Sequence, residues 1–186
     1  LAVMFLRAQD IVKFVHKGAV DVGITGYDLV LESGLDVVVP YRLNFGRCRL
    51  SVAVPDSMNV KRPEDLPDDL VVATSFPNLT KQYFEKLGKK VEITSIAGAA
   101  EIAPILGVAD IIVDLVSSGS TLKMNHLREL AVIAEAQAVV VANRKAYEGC
   151  EQQVQEIISA MLSVTEAENK KYLMADVPKA SLGEVK

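Results

Sequence analysis

Two spacings of apolar residues alternate along the chain. Short apolar runs of the kind that form buried strands are each followed by a segment whose apolar positions recur at helical offsets. LAVMFLR (1–7) reads as a strand. In DIVKFVHKG, Ile11, Phe14 and Val15 share one helical face, and Gly18 stands where a C-cap belongs. AVDVGITG (19–26) reads as a buried strand ending in a glycine turn. YDLVLESG follows as a short helix with Asp28 in its first turn and Gly34 after it, and LDVVVPY as a second buried strand. This β-α-β-α-β order predicts an α/β fold with a largely parallel sheet.

The alternation continues. RCRLSVAVP (47–55) is a strand with Arg47 and Arg49 alternating at its start, and KRPEDLP (61–67) a turn into a short helix. DLVVATS (69–75) is a strand, broken by Phe76-Pro77-Asn78. LTKQYFEKLG (79–88) is a helix stopped by Gly88, and KVEITSI a strand. A helix is expected from about 98 to 107, then the strand ADIIVDLV, the loop SSGST and a helix start at TLKMNHL. LRELAVIAEAQAVVVANR holds one or two strands. Residues 150–169 form the longest amphipathic helix, with Val154, Ile157, Ile158, Met161 and Leu162 on its apolar face, and KYLMADVP (171–178) reads as a further strand. The pattern suggests two α/β lobes, with the SSGST loop in the second.

Composition narrows the function classes. The chain has 186 residues, half of them apolar and about a quarter charged, which suits one large domain or two small ones. A net charge of −4 and a pI near 5.3 argue against general nucleic-acid binding. No apolar run reaches the ~18 residues that a membrane span needs. Cys48 and Cys150 lack CxxC spacing, so reduced thiols in a cytoplasmic compartment are expected. The chain begins at Leu1 with no signal-peptide pattern and reads as a fragment.

The candidate chemistry centres on residues 101–122. Asp110 and Asp114 are four apart on an apolar strand, an even spacing that puts both on one side. They either meet a ligand or flank the strand end as solvated groups. Ser117, Ser118, Gly119, Ser120 and Thr121 follow. Glycine permits positive φ there, and N–H groups and hydroxyls at a helix start can hold a phosphate; otherwise the loop is a serine-rich capped turn. It is not a Walker loop. Arg7, at a strand end, could grip a phosphate or pair with Asp10. Thr25 and Asp28 lie at another strand end, though capping alone would explain Asp28. Lys81 could serve an anion or be a solvated helix charge. His16 and His126 have no partner at metal-ligand spacing, so no metal site is expected within the protein.

These residues carry a resemblance. EIAPILGVADIIVDLVSSGSTL resembles the signature of the ATP phosphoribosyltransferases, with Glu101, Pro104, Gly107, Ala109, Asp110, Asp114, Gly119, Thr121 and Leu122 in place. Ser118 stands where many members carry Thr. FLRAQDI, VDVGITGYDLVLE, LNFGRCRLSVAVP, VVATSFPNLTKQYF and KYLMADVP are similar to further family blocks, in the family's order.

The resemblance implies a two-lobed fold like the type II periplasmic binding proteins, with the active site in the interlobe cleft. Lobe I would comprise residues 1–45 and 139–170, and lobe II residues 46–138, with hinges at Leu43–Gly46 and Ala136–Ala138. Residues 171–186 would begin a truncated regulatory domain of the long form, and the family's N-terminal strand-helix-strand is lacking. The implied reaction joins ATP and phosphoribosyl pyrophosphate, with Mg²⁺, in the first step of histidine biosynthesis. Asp114 and Asp110 would lie beside the ribose, and Ser117 through Thr121 would hold its 5′-phosphate. Glu101 comes with the signature. Arg7 and Lys81 are candidates for phosphate contacts, and Thr25 and Asp28 for the nucleotide. A homo-oligomer, dimer or hexamer, is implied, with no nucleic-acid or membrane partner. The alternative is a non-catalytic small-molecule binding module of the periplasmic-binding type, and a third reading is a silent paralogue.

Overall fold

The computed structural model describes residues 2–167 and, beyond them, positions 171, 174, 176 and 178. The strand expected over 171–178 and the regulatory-domain start expected over 171–186 therefore fall largely outside the described residues. The chain divides into two compact units, Leu1–Gly149 and Cys150–Lys186.

Within the first unit the strands form two sheets. Helix α1 (Ala8–His16) buries Val12 and Val15 and is closed by Gly18 at φ +71°. Strand β1 (Val22–Gly26), helix α2 (Tyr27–Ser33) and strand β2 (Val38–Arg42) follow, with left-handed Gly34 ending α2. Strand β8 (Ala138–Ala142) lies between β1 and β2 and is antiparallel to both. Val15, Val139 and Val141 are the centre of this lobe's core.

The second sheet is built from β3 (Cys48–Pro55), β4 (Leu70–Thr74), β5 (Val91–Ser95), β6 (Ile111–Val116) and β7 (Leu127–Ala136), in the order β5-β4-β6-β3-β7. Helix α3 (Pro77–Lys86) joins β4 to β5, and α4 (Ser120–Met124) joins β6 to β7. β4 is parallel to β5 and β6, whereas β3 is antiparallel to β6 and β7. Both faces of this sheet are buried. Leu50, Val52, Val54, Val72, Ile111 and Val113 pack with Phe84 on one face, and Ala53, Ala73, Ile112 and Val116 pack with Leu122 on the other.

The expectation of a largely parallel sheet is corrected here. β1 and β2 do point the same way, as a strand-helix-strand unit requires. β8, which begins 96 residues after β2 ends, sits between them, and β3 alone runs against its four companions. Local periodicity carries no trace of such long-range insertions.

Other expectations change for local reasons. Residues 2–7 form no strand, and Val3 and Phe5 are 71% and 97% exposed. An apolar run becomes a strand only where a neighbour takes its N–H and C=O groups, and none of the strands pairs with it. The helix expected over 98–107 shrinks to a 3₁₀ turn at Ala100–Ile102 followed by turns. Ala99 at φ +55°, Pro104, and Gly107 at φ +68° interrupt it. The last helix, α5 (Arg144–Ala167), starts earlier than expected and is kinked at Cys150. Asn143 caps it, accepting the N–H groups of Lys145 and Ala146 at 3.1 and 3.2 Å. Val154 and Ile158 of its apolar stripe are buried.

The chain crosses between the sheets at 43–47 and at Gln137, and the crossings are tied together. Leu43 N–H donates to Ala138 O at 2.8 Å, Ala138 N–H to Phe45 O at 3.1 Å, and Gln137 Nε2 to Leu43 O at 3.1 Å. A further tie joins the helices. The Glu32 carboxylate on α2 accepts the N–H groups of Asn78 and Leu79 at 2.8 and 2.9 Å, capping α3 from the other lobe.

Candidate active site

A pocket of about 280 Å³ opens at the C-terminal end of β6. Its polar lining consists of the Glu101 and Asp114 carboxylates and of Ser117, Ser118, Gly119 and Thr121 in the loop. Val116 and Leu122, 3% and 7% exposed, close its apolar side together with Leu115. The lining includes no lysine or arginine, so an anion here must be met by N–H groups, hydroxyls and whatever cation arrives with it.

Asp114 is placed by the strand. β6 pairs with β3 so that Asp114 faces Ser51 in register. Its Oδ1 accepts the Leu115 N–H at 2.7 Å. Burial raises its pKa above the ordinary aspartate value; the Leu115 N–H opposes the rise and the Glu101 charge adds to it. The loop turns at Gly119, whose φ of +76° is the left-handed region that residues with a Cβ avoid. Ser120 N–H donates to Ser118 Oγ at 3.3 Å, and the two hydroxyls are 2.9 Å apart. α4 is only five residues long, so loop N–H groups rather than a helix dipole are the donors on offer.

The structure brings Asp114, Glu101, Ser117, Ser118, Gly119 and Thr121 together, with Ser120 immediately behind them as the first residue of α4. It does not bring Asp110 to the same place. Asp110 precedes β6, at the opposite end from the loop, so four residues at about 3.3 Å each separate it from Asp114. Its Oδ2 accepts the Val71 N–H at 2.8 Å and its own N–H donates to Val71 O at 2.9 Å, which extends the ladder with β4. Even spacing puts two side chains on one side of a strand but not at one end of it.

The remaining candidates lie outside this pocket. Arg7 is the residue before α1, and its carbonyl accepts the Asp10 N–H at 2.9 Å. Thr25 is 5% exposed and donates to Ala8 O at 2.9 Å. Asp28, also 5% exposed, folds its carboxylate back over Gly26, where an added Cβ would collide with it. Burial is the main cause of its raised pKa, opposed by its own N–H and that of Leu29. Lys81 is an exposed α3 charge 3.9 Å from Glu85.

Two residues next to the loop were missed. Arg49 on β3 donates to Ser117 O at 3.0 Å and forks onto both oxygens of Glu129 at 2.6 Å. The Arg47/Arg49 alternation is visible in the sequence, but Glu129 is 80 residues away and no local pattern links them.

The comparisons decide the family. The family model of ATP phosphoribosyltransferase (HisG) matches residues 7–163. The chain belongs to the ATP phosphoribosyltransferase family. It is 43% identical to the ATP phosphoribosyltransferase of Methanocaldococcus jannaschii over 190 residues, covering all of this chain and 66% of that relative. It is 46% identical to that of Methanopyrus kandleri, covering 99% of this chain and 64% of the relative. The chain thus spans a little under two thirds of the length of these relatives. Among solved structures, the ATP phosphoribosyl transferase (HisG:HisZ) complex from Thermotoga maritima matches with a TM-score of 0.80 at 29% identity, over 88% of this chain and 79% of that one. The alkanesulfonate-binding protein SsuA from Xanthomonas axonopodis pv. citri matches at TM-score 0.57 and 17% identity, over 87% of this chain and 61% of that one. That likeness shows the two-lobed fold of the type II periplasmic binding proteins alone. Among the described residues no helix is long and apolar enough to cross a membrane.

Proposed function

We propose that the protein to which this chain belongs is a cytoplasmic ATP phosphoribosyltransferase. It joins ATP to phosphoribosyl pyrophosphate, giving phosphoribosyl-ATP and pyrophosphate at the head of histidine biosynthesis. The observation that carries this reading is the meeting of Asp114 and the Ser117–Thr121 loop in one pocket, in a chain of this family. The loop amides and hydroxyls take the 5′-phosphate, and Asp114 accepts hydrogen bonds from the ribose hydroxyls. A ring nitrogen of adenine attacks the anomeric carbon, and the bond to pyrophosphate breaks. Positive charge develops on the sugar, and the ionised Asp114 carboxylate beside it is stabilising.

Mg²⁺ would be held mainly by the pyrophosphate oxygens of the substrate, whose charge it would offset. The pocket supplies two carboxylates, Glu101 and Asp114, and no group of three metal-ligating side chains exists among the described residues. A donor set this sparse fits a hard cation held mainly by substrate oxygens. The relative from Thermotoga maritima was solved as a HisG:HisZ complex; for the present protein a homo-oligomer is the proposed assembly.

Calorimetric titration of the full-length protein with phosphoribosyl pyrophosphate and Mg²⁺ tests the site. Asp114→Asn is expected to weaken binding about 10- to 100-fold, the worth of a hydrogen bond to a charged group. Gly119→Val is expected to abolish binding, through strain at positive φ and a side chain in the loop. Unchanged affinity in both would remove this pocket from the reaction, and tight binding without turnover would leave a binding module.

A further inference from the structure

We propose that Arg49, seated by Glu129 and Ser51, is the positioning residue that sets the Ser117–Thr121 loop for its anion. The inference rests on the reading of that loop as a phosphate site. Arg49 lies on β3 in register with Val116, the last residue of β6 before the loop. β3 is flanked by β6 on one side and β7 on the other, and the guanidinium uses both neighbours. Its Nε and Nη2 fork onto Glu129 of β7 at 2.6 Å each, and its Nη1 donates to the Ser117 carbonyl at 3.0 Å. Glu129 is fixed in turn by Ser51, a fully buried hydroxyl that donates to its Oε1 at 2.8 Å.

That carbonyl is where the loop begins. In a planar trans peptide the C=O and the following N–H point in opposite directions. Drawing Ser117 O towards Arg49 therefore turns the Ser118 N–H away from it. Gly119 then reverses the chain at positive φ. Neither the Ser118 nor the Gly119 N–H has an acceptor among the described residues, and both residues line the pocket. Arg49 itself does not line it, and its charge is matched by Glu129. It acts by aiming backbone donors rather than by touching the ligand. Only arginine can do this, because the planar fork serves Glu129 and the carbonyl at once, whereas a lysine ammonium cannot span both.

The test measures dissociation constants for phosphoribosyl pyrophosphate and for ATP on full-length Arg49→Met, Arg49→Lys and Glu129→Gln, with melting temperatures alongside and Gly119→Val as the reference. A positioning role predicts at least tenfold weaker phosphoribosyl pyrophosphate binding in Arg49→Met, a partial loss in Arg49→Lys, and ATP affinity within twofold of the parent. Lowered melting temperatures with both affinities unchanged would make the pair merely structural and overturn the proposal. If Arg49→Met does not fold, Arg49→Lys and Glu129→Gln distinguish the same two outcomes. Gly119→Val separates the two failures. If it binds normally, the loop reading falls and this proposal with it. If it abolishes binding while the Arg49 variants bind normally, only the assignment of Arg49 falls.

Discussion

Asp114 carries a half-buried carboxylate, and its partial desolvation weighs against the folded state. With its pKa raised by burial, the folded state binds a proton more readily than the unfolded state over the window just above the ordinary aspartate value. Stability from this group therefore falls as pH rises through that window, and the deficit persists at neutral pH. Asp114→Asn should thus raise the melting temperature near neutrality, with the gain shrinking as pH is lowered towards the ordinary aspartate value. The same variant should bind phosphoribosyl pyrophosphate poorly. Thermal melts across pH would check the first part, and a neutral-pH melt no higher than the parent's would contradict it. Glu129 runs the opposite way, because the Arg49 fork holds its carboxyl below the usual glutamate range, so its contribution is lost as pH falls through its lowered value. At this scale the sequence singled out Asp114 and the loop, which share one pocket in the fold, because small residues, glycine and an acid on an apolar strand are local signals. It was silent on Asp110's backbone role and on Arg49, since both depend on a partner strand.

Single elements were mostly legible because their boundaries are written in local chemistry. α3 ends before Gly88, as the glycine there suggests, but starts at Pro77, two residues ahead of the start expected at Leu79, because a proline fits the first turn of a helix. What stabilises its start was not legible. Phe76 offers no side-chain cap, and the acceptor is Glu32, 46 residues earlier in the chain. Glu32→Ala should cost about 1 kcal/mol, the usual worth of a helix N-cap. Urea unfolding should show this as a lower midpoint with an unchanged slope. A loss below a few tenths of a kcal/mol would mean that water replaces the carboxylate without penalty. The strand missing at residues 2–7 and the shrunken helix at 98–107 make the same point from the other side. An apolar run without a pairing partner, or a helical pattern containing Pro104 and a left-handed Ala99, does not complete its element.

For the whole molecule, the order of strands matters more than their number. The first lobe is discontinuous in sequence: β1 and β2 come before residue 46, and the strand that joins them, β8, comes after residue 137. Everything in between builds the second sheet, and both of its connections leave through the hydrogen bonds among Leu43, Phe45, Gln137 and Ala138. This gives the protein a mechanical hierarchy. Tension applied through handles at positions 7 and 144 is carried first by β8 against β1 and β2, because those strands lie at the two ends of the load path. The lobe holding the Ser117–Thr121 loop is shielded until β8 has been sheared away. Optical-trap extension should therefore show a first rupture that releases the outer strands and a second that releases residues 46–137. A bound phosphoribosyl pyrophosphate should raise only the second.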